Sequence, residues 1–240
     1  MSTSQHSHDD AVWPRLHHFT LDPFCRRVRL TLNEYGVPHA LAEERPWLRE
    51  EHLLALNPTG EVPVLVEEDG TLAAGIYAVT EHVEETRGQG VASLLGASPA
   101  ARAETRRLIA FFDGPFYMEV SAPVLAEKGL KRLLPRELGG GAPDTGVLRA
   151  ALERLNDYLA FIGALADARG LLAGPELSLA DLAAAAHLSV LEYLDALRFG
   201  PHESAKTWYQ RIKSRPAFRP LLKDRVAGLA PAATYGELDF

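Results

Sequence analysis

The single cysteine of the chain, Cys25, is followed at once by Arg26 and Arg27 in the stretch DPFCRRVRLTLNEYG. A thiol near a helix N-terminus with cations beside it has the setting of a nucleophile, because both features favour the thiolate. The same cysteine shares an apolar face with Val28, Leu32 and Tyr35 at i, i+3, i+7 and i+10, and free cysteine often packs as a small hydrophobe. Thr20, just upstream, can donate to a thiolate or simply end a strand. Asp22 before Pro23 has the form of an N-cap with proline at N1. His6 and His8 lie in a polar opening, His17 and His18 are neighbours in a strand, and no group has the spacing of a metal site. The reading is therefore no catalytic set, no cofactor residues and no metal ligands.

The elements that would position these residues change character along the chain. RLHHFTL (15–21) reads as a strand, 22–36 as a helix, PHALAEER as a second strand and LREEHLLALNP as a short helix. EVPVLVEEDGTLAA is two runs around Asp69-Gly70, a hairpin signal. YAVTEHVEETRG is a third helix closed by Gly88. The order is βαβαββα. Beyond it helical periodicity dominates, with Leu108, Phe112, Phe116, Val120 and Val124 on one face of a helix over 100–128 that Pro115 and Pro123 should bend. GGGAPDTG precedes a helix over about 147–167. The nearly all-apolar LSLADLAAAAHLSVLEYL (177–194) predicts a buried central helix, with Ser178 and Asp181 spaced as a capping box. Two shorter helices follow, near 202–213 and 216–223. The expected organisation is a tail (1–13), an α/β domain (14–89), a linker (90–99), an all-helical domain (100–224) and a C-terminal tail (225–240).

At 240 residues and 47% hydrophobic content the chain can build a sizeable core. Its 25 basic and 32 acidic residues leave a net charge of −7, which argues against nucleic acid as a partner. One cysteine excludes an internal disulfide and fits a reducing compartment. No uninterrupted apolar run reaches the roughly 18–20 residues of a membrane span, and the polar opening has no signal-peptide core. The expectation is a cytosolic protein without direct membrane insertion.

A βαβαββα domain followed by an all-helical one resembles the cytosolic glutathione transferases, whose N-terminal domain is thioredoxin-like. DPFCRRVRL, NPTGEVPVLVEEDGTL and the LSLADLAAAAHL helix carry the resemblance. It implies a cis proline at Pro63, with Val62 offering backbone hydrogen bonds to glutathione. Two positions depart from the family. Where its first helix commonly opens on Ser or Cys this chain has Asp22, whose charge would raise a nearby thiol pKa. Where it usually has an acid and a hydroxyl to hold the γ-glutamyl end, this chain has Gly75 and Ile76. Two missing anchors at about 1–3 kcal/mol each weaken binding by orders of magnitude, so glutathione is not expected as a ligand.

EERPW, WYQRIKSRPAFRPLLKDRV and the terminal YGELDF further resemble the FtsZ-localised protein A family, transferase-fold proteins of bacterial cell division. That resemblance implies a non-catalytic, homodimeric regulator at the division site that binds FtsZ filaments, curves or bundles them and supports constriction. The alternative is an atypical glutathione transferase or thiol reductase using Thr20 or Cys25. For a filament-binding protein the expected contact residues are Trp47, in a proline-stiffened loop, and Tyr235, Leu238, Asp239 and Phe240 of the tail. Trp47 serves either as a staple on the following helix or as an exposed anchor. The tail either packs back on the body or is presented. Lys128, Lys131 and Arg132 form a local basic spot, either a solvated helix end or a contact for an acidic surface.

Overall fold

A computed structural model describes residues 13–89 and 93–238. Strand β1 (Arg15–His18) pairs in parallel with β2 (Ala40–Glu43) and antiparallel with β3 (Val64–Val66). The chain turns at Asp69-Gly70 into β4 (Leu72–Ala74), and the strand order is β2-β1-β3-β4. In that turn Gly70 has φ +84° and the Asp69 carboxylate accepts from the Thr71 N–H, so the hairpin signal names its own chemistry. Helices α1 (Pro23–Glu34), α2 (Glu51–Leu56) and α3 (Ile76–Arg87) complete the βαβαββα order. Leu16 and Leu65 of the sheet, Val28 and Leu32 of α1 and Val79 and Val83 of α3 form one buried cluster. Gly88 does cap α3, but with φ −87° rather than a left-handed turn. What demands glycine there is space, because a Cβ would lie 2.6 Å from the Glu84 carboxylate and 2.8 Å from the Tyr35 hydroxyl.

The helical part begins with α4 (Pro99–Leu133), capped by the Ser98 hydroxyl on the Ala101 N–H. Leu108, Phe112, Phe116, Val120 and Val124 are all fully buried. A strict four-residue step drifts by roughly 40° per repeat on an α-helix of about 3.6 residues per turn. Here Phe112–Ser121 and Leu125–Leu130 are π-helical, and the wider turn keeps the five side chains facing inward. Pro115 lies inside the first widened stretch, so the irregularity expected from the prolines takes this form. By length and composition α4 would also suffice to cross a membrane. A reading by uninterrupted apolar runs missed it; its buried apolar face packs in the helical core.

Helix α5 (Thr145–Arg169) starts on the Asp144 cap and runs slightly beyond its expected limits at both ends. In α6 (Leu179–Tyr193) every residue is buried, as its composition requires. The capping box is present: the Asp181 carboxylate accepts from the Ser178 N–H at 3.0 Å, and also from the Leu172 N–H and the Trp208 indole. Helices α7 (Glu203–Lys213) and α8 (Arg219–Leu222) follow. The two parts meet along α1 and α6, where Arg26 of α1 donates to the Ser189 hydroxyl.

Candidate functional site

The β1–α1 turn, the Val62-Pro63 bond and the N-terminus of α3 are the places where a transferase fold would hold a thiol peptide. The Val62-Pro63 bond is cis. Asp22 caps α1, its carboxylate accepting from the Cys25 N–H at 2.7 Å. Burial pushes that carboxyl up to about 6 despite this hydrogen bond. Cys25 is fully buried, and burial followed by the Asp22 charge raises its thiol pKa. Arg26 and Arg27 do not reverse this, because their guanidiniums are engaged elsewhere. Arg27 donates to Asp113 at 2.6 and 2.8 Å, and Arg26 reaches the tail. The Thr20 hydroxyl donates to Glu43 at 2.6 Å, so it too is committed. Gly75 adopts φ +83° at the start of α3 with no side-chain cap, and Ile76 turns onto the sheet-domain core. Among the described residues no group of three or more His, Cys, Asp or Glu is placed to hold a metal. His6 and His8 lie outside the described residues.

Two expected results arise here. Titration calorimetry with millimolar glutathione should show no saturable heat, since Gly75 and Ile76 supply no side-chain partner for its charged end; a dissociation constant in the micromolar range would refute this. Asp22→Asn should stabilise the protein at pH 7 by about 1–2 kcal/mol while keeping a capping oxygen. The sign follows from the raised folded pKa. The folded state holds the Asp22 proton more tightly than the unfolded chain does, so stability from this group falls as pH rises from about 4 to 6. Urea unfolding at pH 4.5 and 7 should show the variant's advantage only at the higher pH.

A second concavity lies beside this turn. Trp47 sits on a 3₁₀ turn (Pro46–Leu48) whose exit, Arg49, has φ +49°. Its ring is half-buried and meets Phe19 edge-on at 5.2 Å. Trp47, Phe19, Thr20 and Leu133 line a cavity of about 510 Å³ whose other wall is Arg225, Val226 and Ala227. The fold thus brings Trp47 to the first residues of the C-terminal segment, while 45% of Leu48 remains exposed beside it.

The rest of that segment is pinned rather than loose. The Tyr193 hydroxyl donates to the Leu229 carbonyl and accepts from the Val226 N–H, and the Ala232 N–H donates to the Tyr193 carbonyl. Tyr235 is fully buried. Its hydroxyl accepts from Arg26 at 2.7 Å and donates to the Leu221 carbonyl at 3.0 Å. Tyr235 therefore leaves the set of expected contact residues. A phenol packed between an arginine and a carbonyl is better satisfied there than in water, and it offers no surface to a partner. Leu238 is 41% exposed, whereas Asp239 and Phe240 lie outside the described residues. What the sequence reading missed is the anchor, Arg26, which is fully buried and also donates to the Thr20 carbonyl and to Asp224. Its signal was present: Arg26, Arg27 and Arg29 crowd a helix that must be covered on both sides.

Family models for the glutathione S-transferase N-terminal and C-terminal domains match residues 23–86 and 122–216. The FtsZ-localized protein A of Caulobacter vibrioides is 47% identical over 228 residues, which cover 94% of this chain and 97% of that protein. The chain belongs to the FtsZ-localised protein A family, within the glutathione S-transferase superfamily. The solved FzlA structure from C. crescentus superposes on this family member with a TM-score of 0.89, covering 95% of this chain and all of the other. A structure described as a glutathione S-transferase, from Rhodospirillum rubrum F11, reaches a TM-score of 0.90 at 43% identity with the same coverage. FzlA-type and transferase-type descriptions thus share one architecture, and the side chains around the cleft must separate them.

Proposed function

We propose that this family member is a non-catalytic regulator of bacterial cell division, cytoplasmic and homodimeric, that binds FtsZ filaments, promotes their curvature or bundling and supports constriction. The observation that carries the reading is the 47% identity, over nearly the full length of both chains, to a protein named for its localisation with FtsZ. The cleft supports it: the γ-glutamyl end has no side-chain anchor at Gly75 and Ile76, Thr20 is held by Glu43, and Cys25 is inaccessible. Trp47, with Leu48 beside it, and Leu238, Asp239 and Phe240 are the proposed contact residues. The net charge of −7 fits a protein partner rather than nucleic acid.

Co-sedimentation with GTP-assembled FtsZ tests this. The protein should enter the pellet only when polymer is present, and its absence from the pellet at micromolar filament would overturn the proposal. The transferase reading is favoured by the Rhodospirillum rubrum structure's description. It requires retention on immobilised glutathione and turnover of a chloro-dinitrobenzene substrate.

A further inference from the structure

A cavity of about 680 Å³ opens where the end of α4, the α6–α7 connection and the C-terminal segment meet. Four cations line it: Lys128 and Arg132 from α4, Arg198 from the connection and Lys206 from α7. The carboxylates lining it are Asp195 and Glu203. Asp195 is already engaged by Arg198 at 2.6 Å, while the Lys128 ammonium donates to the Asp195 carbonyl at 2.7 Å. The Arg132 guanidinium and the Lys206 ammonium make no ion pair or hydrogen bond among the described residues. On a chain of net charge −7, two unpaired cations and two partly satisfied ones facing a single concavity repel one another, and an anion relieves that cost. Burial, with Arg132 and Arg198 nearby, lowers the Lys128 pKa, which agrees with this crowding.

The cavity also has apolar walls, formed by Leu194, Leu197 and Phe199 on one side and Pro231 and Ala232 on the other. A bare phosphate or a small dicarboxylate uses the cations and leaves those walls wet. The cavity is open on its solvent side, whereas small ligands usually bind in sites that enclose most of their surface. A length of chain with carboxylates on either side of an apolar residue satisfies both features. We infer that this cavity binds an acidic peptide segment of a partner protein, its carboxylates on Arg132 and Lys206 and an apolar side chain between Leu194, Phe199 and Pro231.

The C-terminal segment forms a wall here through Leu229–Thr234 and a wall of the Trp47 cavity through Arg225–Ala227. The two sites share that segment but no lining side chain, so they can be tested apart. The probe is a fluorescein-labelled peptide of sequence EDLFDE, followed by anisotropy against the full chain, with QNLFNQ as its uncharged counterpart. EDLFDE should bind in the micromolar range at low salt and weaken toward physiological salt, while QNLFNQ binds at least about tenfold more weakly. Arg132→Glu combined with Lys206→Glu should cost at least about tenfold, and Trp47→Ala should change nothing. If the double reversal fails to fold, Arg132→Gln with Lys206→Gln takes its place and should still lose several-fold. Equal binding of both peptides, no saturation below millimolar peptide, undiminished binding by the double variants, or displacement by citrate at concentrations no higher than the peptide itself would each overturn the inference. Loss of FtsZ co-sedimentation in Trp47→Ala with EDLFDE binding intact would leave this inference standing and place the filament contact at the other cavity.

Discussion

Replacing Lys213 with methionine is expected to cost about 3–5 kcal/mol of stability at neutral pH, and to lose less as the pH falls. Lys213 is fully buried, and its ammonium donates to Glu192 at 2.7 Å and to the carbonyl of Glu237 in the C-terminal segment. Glu192 is itself buried and keeps, besides that ammonium, the Tyr209 hydroxyl at 2.9 Å. Burial already raises the Glu192 pKa, and the hydrogen bond from Lys213 is the largest influence opposing it. Methionine fills a similar volume but leaves the carboxylate with one neutral donor, and an uncompensated buried charge is the costly outcome. The raised folded pKa sets the sign. A carboxyl that holds its proton more tightly in the folded state destabilises as pH rises through its window, so the variant should be closer to wild type at pH 5 than at pH 7. Urea unfolding at the two values measures it. Glu192→Gln added to Lys213→Met should recover most of the loss, because the orphaned carboxylate is then gone. A pH-independent loss would mean that packing, not the orphaned carboxylate, dominates.

This clamp was not legible in the sequence. The segment RVAGLAPAATYGELDF has no helical period, and its partners lie far away in the chain: Tyr235 meets Arg26, and Glu237 meets Lys213. Only the folded arrangement puts them together. Signals contained within a few residues were legible. Asp22-Pro23 caps α1, Asp69-Gly70 makes the hairpin, and Ser178 with Asp181 closes the start of α6. Each of those is decided by one side chain and the backbone beside it. Local signals were incomplete where two physical demands share one residue. Gly88 closes α3 as expected, but the need for glycine comes from Glu84 and Tyr35, which crowd it. Cys25 combines a nucleophile's neighbours with an apolar position, and its full burial beside Asp22 disfavours the thiolate. In the site, the proximity of Trp47 to the C-terminal segment was expected only as a shared surface. The cavity between them depends on Leu133 at the end of a helix whose length the π-helical turns help to set.

Trp47→Ala is expected to abolish co-sedimentation with FtsZ filaments while leaving a cooperative thermal transition. The indole is held by its edge-on contact with Phe19 and by a loop whose Pro46 limits its freedom, so little ordering cost is incurred on binding. Truncating such an anchor typically costs about 2–4 kcal/mol, which carries a micromolar complex toward the millimolar range. Because the ring is half-buried, some stability is lost as well, and Trp47→Phe separates the two effects: it keeps an aromatic contact on Phe19 but presents less surface, so it should fold almost normally and bind with intermediate strength. Removing the chain end is the companion test, and the buried Tyr235 dictates where to cut. Deleting residues 235–240 takes away the phenol that pairs with Arg26 and the carbonyl that receives Lys213, so its failure to bind would report a lost fold. Deleting 238–240 alone spares both. Loss of pelleting in that shorter deletion and in Trp47→Ala, each with an intact transition, is the expected outcome. If both variants pellet like wild type, the filament contact lies on another face of the protein and the assignment of Trp47, Leu238, Asp239 and Phe240 falls.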